Sequence, residues 1–283
     1  MPELVWLNGR VLPLGETHIS IDDRGFHFAD GVYEVIRIYG GRMFALHEHL
    51  DRLQRSCEGL RISMPLPAEH LTQEIEALLR QSDVSEGAVY LQLTRGVARR
   101  THLCPPDIKP TLLFYIRPQP PIPPPGEGDG LKLWSVPDER WRKCWIKSTA
   151  LAANVLAKLE AADHGADEAL FVLGDIVTEC ASSNLFAVIG GTLVTHPAGP
   201  HVLPGITRGI VLDCARELDL PVFERPLTLT EARAADEMFI TGTTREIVWV
   251  STWDDHPISP GRCGPITTQL HRRFIEHRRS QTS

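Results

Sequence analysis

Residues 119–130 read QPPIPPPGEGDG and form the clearest break in the chain. Proline fixes φ and lacks an N–H, and glycine brings no side chain to pack, so this run holds neither a helix nor a central strand. Patterned sequence flanks it on both sides. It therefore reads as a semi-rigid spacer rather than as a proline-rich ligand for an SH3-like or WW-like module. The division predicts a smaller N-terminal domain over 1–118, a linker over 119–130 and a larger C-terminal domain over 131–283.

Upstream of the linker, TLLFYIR (111–117) and VYLQLTR (89–95) read as strands. Leu71, Ile75, Leu78 and Leu79, and before them Leu50, Leu53, Cys57 and Leu60, recur at three- and four-residue steps, which predicts two amphipathic helices. GVYEVIRIYGGRMFAL (31–46) reads as a hairpin turning at Gly40-Gly41, and LVWLNGRVL (4–12) as one turning at Asn8-Gly9. Downstream, LKLWSVP (131–137) is a strand and ALAANVLAKLEAADHG (150–165) a helix closed by Gly165. EALFVL (168–173), VTECASSNLFAV (177–188) and LVTH (193–196) follow as strands. PGITRGIVLDCARELDL (204–220) opens a helix after Pro204-Gly205, EMFIT (237–241) and EIVWV (246–250) are strands, and ITTQLHRRFIEHRRS (266–280) is a terminal helix. The expected fold class is α/β (α+β) in two domains.

The 283 residues carry 29 Lys and Arg against 36 Asp and Glu, a formal charge of −7, which supplies no basic footprint for nucleic acid or an anionic membrane surface. A small-molecule partner is favoured. MPELVWLNGRVLPLGE (1–16) lacks a cationic segment followed by an apolar one, and no stretch has the apolar length to span a bilayer, so a soluble, cytoplasmic protein is expected. Cys57, Cys104, Cys144, Cys180, Cys214 and Cys263 form no C-x-x-C pair and read as reduced, structural thiols. No G-x-x-x-x-G-K-[ST], no G-x-G-x-x-G after a strand, no H-E-x-x-H and no G-x-S-x-G is present. His47 and His49 make an H-x-H, but two residues apart on a helix they face different ways, so no metal site is expected.

Only five of the basic residues are lysines: Lys109, Lys132, Lys143, Lys147 and Lys158. Lys147 stands apart, between Trp145-Ile146 and Ser148-Thr149-Ala150, where a desolvated amine would have its pKa lowered toward the nucleophilic form. The alternative is a strand end with its amine extended to water. Glu179 lies where an apolar strand meets small residues, placed either to pair with a bound cation or to face solvent. Thr207 opens a helix whose free N–H groups favour a phosphate, although threonine is common there in any case. Arg52 could add a fork to a phosphate, or be a surface arginine.

Taken together, DRGFHFADGVYEVIRIYGG (23–41), HEHLDRL (47–53), WIKS (145–148), VTECASSNLF (177–186), LPGITR (203–208) and FITGTTREI (239–247) resemble the class IV aminotransferases. Order and approximate spacing match over nearly the whole chain, above all with the bacterial D-amino acid aminotransferases. The resemblance implies fold type IV with pyridoxal 5'-phosphate as cofactor. It implies that Lys147 is the lysine bound to the cofactor and that Glu179 keeps the pyridine nitrogen protonated. Arg52, Leu203, Ile206, Thr207 and Thr243 are then further cofactor contacts, most of them at the phosphate. Tyr33 falls near the substrate carboxylate.

In TRGVARRTHLCP (94–105) the Arg100-Thr101-His102 triplet is similar to the Arg-x-His pair of the D-specific members. That similarity implies a bidentate grip on the α-carboxylate of a D-amino acid such as D-alanine, with pyruvate or 2-oxoglutarate as acceptor in ping-pong turnover. It also implies a homodimer in which this loop reaches the neighbouring subunit's site. Without the surrounding motifs the triplet is a basic surface loop. Gly242 departs from the pattern, because D-specific relatives carry serine there and branched-chain relatives glycine. The rival readings are an L-branched-chain aminotransferase, an aminodeoxychorismate lyase and, from another class, a metal-dependent hydrolase using His47 and His49.

Overall fold

Two-residue turns with positive φ at both positions, Asn8 (47°) with Gly9 (87°) and Gly40 (54°) with Gly41 (76°), close the two hairpins expected in the N-terminal half. The computed structural model describes residues 3–258 and 261–282. Its chain divides into two units, one holding the residues up to Pro121 together with Ile146–Ala150, the other Ile122–Trp145 and Leu151–Ser280. The first cut falls inside the proline-rich run.

In the first unit β1 (Leu4–Leu7), β2 (Arg10–Pro13), β3 (Gly31–Tyr39), β4 (Arg42–Met43), β5 (Gly87–Thr94) and β6 (Thr111–Pro118) form a sheet in the order β2-β1-β6-β5-β3-β4. All its pairings are antiparallel. A short helix, α1 (Arg24–Phe28), precedes β3; the longer α2 (Leu46–Leu60) and α3 (Ala68–Ser82) lie in the β4–β5 connection. Strand alternation decides the core: Val32, Ile36 and Ile38 of β3 and Val89, Leu91 and Leu93 of β5 are fully buried. The helices add Leu50, Leu53 and Cys57, and Leu71, Ile75 and Leu78. Leu60 and Leu79, expected on the same stripes, are only half-buried.

The segment Ile146–Ala150 belongs to this unit because it runs along the free edge at the start of β3. Val32 and Ser148 form an isolated antiparallel bridge, Tyr33 N–H donates to Lys147 O (3.0 Å) and Thr149 N–H to Gly31 O (2.9 Å). A side chain at Gly31 would stand 2.8 Å from Leu93 O, so the close strand approach here requires glycine.

In the second unit the described strands are β7 (Leu131–Pro137), β8 (Glu168–Leu173), β9 (Ile176–Cys180), β10 (Asn184–Ile189), β11 (Thr192–Thr195), β12 (Val222–Glu224), β13 (Leu227–Thr228), β14 (Glu237–Gly242), β15 (Glu246–Trp253) and β16 (His256–Pro257). They form a mixed sheet in the order β12-β11-β10-β14-β15-β7-β8-β9-β13, with β16 beside β15. Its helices are α4 (Ala152–Asp163), α5 (Ile206–Glu217), α6 (Leu229–Arg233) and α7 (Pro265–Thr282). The left-handed Gly165 (φ 68°) follows α4, as its sequence predicts. One face of the sheet packs Leu185, Ala187, Met238, Ile240, Val250 and Trp253 into a single apolar cluster. Both units mix helices and sheets, as the α+β reading requires.

Leu53, fully buried where α2 packs on β3, is the natural probe of the first unit. Leu53→Ala is expected to lower unfolding stability by about 2–5 kcal/mol, read from the urea midpoint at unchanged slope.

Candidate active site

In the first unit Lys147 is half-buried, with its backbone held by Tyr33 N–H and by Ser56, whose Oγ accepts from Lys147 N–H at 3.1 Å. Its Nζ lies 4.3 Å from the centroid of the Tyr33 ring, within cation–π reach. Tyr33 in turn stacks on Tyr90 at 6.0 Å between centroids. The structure thus brings Lys147 and Tyr33 together.

Arg52 is buried and turned inward. Its Nε donates to Glu34 Oε1 (2.7 Å) and its Nη2 to Glu34 Oε2 (2.8 Å), while His49 Nδ1 lies 2.7 Å from the same Oε2. Burial alone raises the Glu34 carboxyl, but Arg52 and His49 together outweigh it and hold Glu34 well below the ordinary glutamate range. Burial lowers His49, and the nearby Arg52 and Lys147 push the same way against Glu34. His47, two residues earlier, is exposed, so α2 turns the two imidazoles apart. Among the described residues no group of three His, Cys, Asp or Glu side chains is arranged to hold a metal. The sequence reading missed Glu34, although its phase with Val32, Ile36 and Ile38 on β3 marks a carboxylate on the buried face.

Arg100 and His102 are exposed on the loop between β5 and β6. Both approach Phe28 of α1: the Arg100 guanidinium lies 5.1 Å from its ring centroid, and the His102 ring 5.5 Å from it.

In the second unit Glu179 is buried and receives three donors. Arg140 Nη1 reaches Oε1 at 2.6 Å, and Asn184 Nδ2 (2.9 Å) and Leu203 N–H (3.1 Å) reach Oε2. Burial raises its carboxyl to about 7, with Arg140 and the Leu203 N–H pulling the other way. Arg140, which the sequence reading did not select, also donates to Asp138 and to His201 O and stacks 4.1 Å over Phe171. Leu203 is therefore tied to Glu179 through its backbone, and its carbonyl accepts from Asn184 at 2.9 Å.

Gly205 caps the N-terminus of α5, and the opening turn of the helix is closed by Gly209 N–H donating to Gly205 O. The N–H groups of Ile206 and Thr207 precede that bond, at the helix end where an anion is favoured. A Cβ at Gly205 would collide with Asn184 Oδ1, so glycine lets the helix start against that side chain. Thr243 lies in the turn between β14 and β15. A Cβ at the neighbouring Gly242 would meet nothing nearer than Ser182 O at 3.8 Å and Ser183 Cβ at 3.9 Å. The buried hydroxyls of Ser183 and Thr241 have no hydrogen-bond partner in the polypeptide. Unpaired donors, a helix N-terminus and a buried carboxylate within one unit fit a phosphorylated, cationic aromatic group.

The amino-transferase class IV family model matches residues 31–253. The chain belongs to that family. It is 39% identical over 275 residues to a D-alanine aminotransferase of Listeria monocytogenes serotype 1/2a, covering 96% of this chain and 95% of the relative. It is 36% identical over 284 residues to one of Staphylococcus haemolyticus, covering 99% of both. Among solved structures, a T.th. branched-chain amino acid aminotransferase with pyridoxamine 5'-phosphate superposes with a TM-score of 0.91 at 27% identity, over 100% of this chain and 97% of that one. The Escherichia coli branched-chain enzyme does so with a TM-score of 0.92 at 23% identity and the same coverage, a likeness of fold.

Glu34→Gln leaves the Arg52 guanidinium buried without its counter-charge and is expected to cost about 3–5 kcal/mol at pH 7. Because Glu34 is held below its unfolded value, its contribution is complete above the ordinary glutamate pKa of about 4.3 and is lost as pH falls. Urea unfolding of both proteins across the acid range should show the gap narrowing; a constant gap would contradict the ion-pair account.

Proposed function

We propose that the chain uses pyridoxal 5'-phosphate to move the amino group of a D-amino acid such as D-alanine to a 2-oxo acid, pyruvate or 2-oxoglutarate. The observation that carries this reading is Lys147, pinned by its backbone to β3 with its amine over Tyr33. Near-full-length similarity to D-alanine aminotransferases supports the handedness. The bound cofactor supplies an electron sink that makes the Cα proton of an amino acid acidic enough to remove.

Lys147 Nζ would hold the cofactor, and the same amine would be the base that takes the proton from the substrate Cα. Glu179 would accept the cofactor's ring N–H, since a cation there would favour the ionised form of a carboxyl that burial otherwise raises. Leu203 N–H and Arg140 orient that carboxylate. The Ile206 and Thr207 end of α5, with Thr243, would hold the phosphate, and Arg52 is the guanidinium that would add to that grip. Arg100 and His102 grip the substrate carboxylate beside Tyr33, the arginine as a fork, which sets which enantiomer presents its Cα–H to Lys147. The assembly is a homodimer whose subunits share these loops. All six cysteines are free, in keeping with a reducing, cytoplasmic setting, and no described helix is long and apolar enough to cross a membrane.

The test is the visible absorption of the cofactor-loaded protein before and after D-alanine and, separately, L-leucine. Loss of the band with D-alanine alone is expected, whereas loss with L-leucine alone moves the reading to the branched-chain enzymes, which share glycine at position 242. Lys147→Ala is expected to abolish turnover; a variant retaining substantial turnover overturns the assignment. Glu179→Gln should keep much of the cofactor affinity while turnover falls by at least about a hundredfold, the scale of a lost electrostatic contact to the reacting group.

A further inference from the structure

We infer that Arg24 is a positioning residue for the Arg100–His102 loop and so governs affinity for the substrate carboxylate. This rests on the reading of Arg100 and His102 given above. Arg24 is buried in α1, and its guanidinium reaches three acceptors. Nε donates to Asp30 Oδ2 (2.8 Å), Nη1 to Thr101 O (2.6 Å) and Nη2 to His102 O (3.2 Å). Two successive carbonyls of the triplet are thus held by one rigid fork. The same guanidinium lies 4.9 Å from the Phe28 ring centroid, and Phe28 is the ring that Arg100 and His102 approach. Backbone and side chains of the triplet therefore take their place from one helix turn.

That turn is itself fixed. Asp23, its N-cap, accepts from Gly25 N–H (2.8 Å), Thr94 Oγ1 (3.0 Å) and Thr111 Oγ1 (2.7 Å), which ties α1 to the ends of β5 and β6. A Cβ at Gly25 would collide with Thr94, so the contact is close. Arg24 N–H donates to Gly96 O, and Ala98 N–H to Asp22 O, at the start of the loop. An exposed loop with long side chains loses much conformational entropy when it grips a ligand, and holding its backbone in advance removes part of that cost.

Asp30 distinguishes two roles for Arg24. Arg95 also pairs with it, Nε to Oδ2 at 2.7 Å and Nη2 to Oδ1 at 2.9 Å, so Arg24 can be replaced without leaving that carboxylate unmatched. Arg24→Lys keeps the charge beside Asp30 but cannot span two carbonyls as well. If Arg24 were only a counter-ion, lysine would restore full function. If it positions the loop, lysine will not.

The experiment compares cofactor-loaded wild type, Arg24→Lys, Arg100→Ala and the double variant in steady-state kinetics with D-alanine, with thermal unfolding as a check of folding. The expected result is a KM raised about tenfold or more by Arg24→Lys, the scale of one charge-assisted hydrogen bond, with a much smaller change in kcat. In the double variant the two effects should be less than additive, because both act on one grip. An unchanged KM in Arg24→Lys, with Arg100→Ala impaired, overturns the inference and leaves the carboxylate reading intact. An unchanged KM in Arg100→Ala overturns that reading and the inference with it. Should Arg24→Lys unfold, Phe28→Leu carries the same test: a raised KM supports the positioning role and an unchanged one ends it.

Discussion

Glu34 is fully buried on a strand face otherwise made of Val32, Ile36 and Ile38, and a charge so placed costs several kcal/mol unless it is matched from within. The matching dictates how α2 docks. His49 and Arg52 are three residues apart and share a helix face, so both reach one carboxylate, and Ser56 follows one turn further along the same face. Ser56 then meets the backbone of Lys147, whose carbonyl receives the N–H of Tyr33, the residue before Glu34. A closed set of contacts that begins and ends on β3 fixes the backbone that carries the lysine. Displacing α2 to relieve any one of them would strand the buried charge.

Glu179 shows that burial and an arginine do not by themselves determine a carboxyl's state. Glu34 has the fork of Arg52 on both oxygens and His49 besides, and is held low; Glu179 has one close contact to a guanidinium that also serves Asp138 and the carbonyl of His201. The shared arginine does not offset desolvation, and the carboxyl rises to about 7. Asp138 takes the larger part of Arg140, which outweighs the rise that burial imposes and holds it below the ordinary aspartate value. A partly matched carboxylate gains most from a further cation, and a pyridinium N–H is such a cation. Under the proposed function Glu34 serves architecture, by fixing Arg52 and α2, and Glu179 serves chemistry.

Where period and turn chemistry act locally, the sequence can be read directly: the Asn8-Gly9 and Gly40-Gly41 turns, the alternation in β3 and the stripe Leu50, Leu53, Cys57 all describe the folded chain. What escapes such reading depends on distant partners. Arg140 lies in no periodic element, and its acceptors Glu179 and His201 are 39 and 61 residues away. The Lys147 segment lies far beyond the linker in sequence, yet it pairs with the start of β3; an isolated bridge is too short to leave a pattern. Arg24 is similar. Its acceptor Asp30 is close in sequence, but its other two acceptors are backbone carbonyls 77 and 78 residues away, so no side-chain complementarity in the sequence points to them. Short motifs name candidate residues, but the groups that orient those residues come from the tertiary fold.

Gly242 can be understood in the same terms. Its φ is not in the left-handed region and the space around its Cα is open, so neither backbone nor packing requires glycine there. What a serine would add is a hydroxymethyl group, whose Cβ the open space admits and whose hydroxyl is the polar difference. Ser183, beside it, has a buried hydroxyl with no protein partner, and so has Thr241, whose register partner Asn184 bonds the carbonyl of Leu203 just before α5. Thr241 and Asn184 point to one face of the sheet, the face on which Gly205 and the start of α5 rest. Each buried hydroxyl left unpaired costs about 1–3 kcal/mol, and the first-turn N–H groups of α5 add to that polar demand. The polypeptide alone does not meet it. Under the proposed function the cofactor phosphate would meet that demand, and glycine at 242 leaves the set one side-chain hydroxyl smaller than serine would make it.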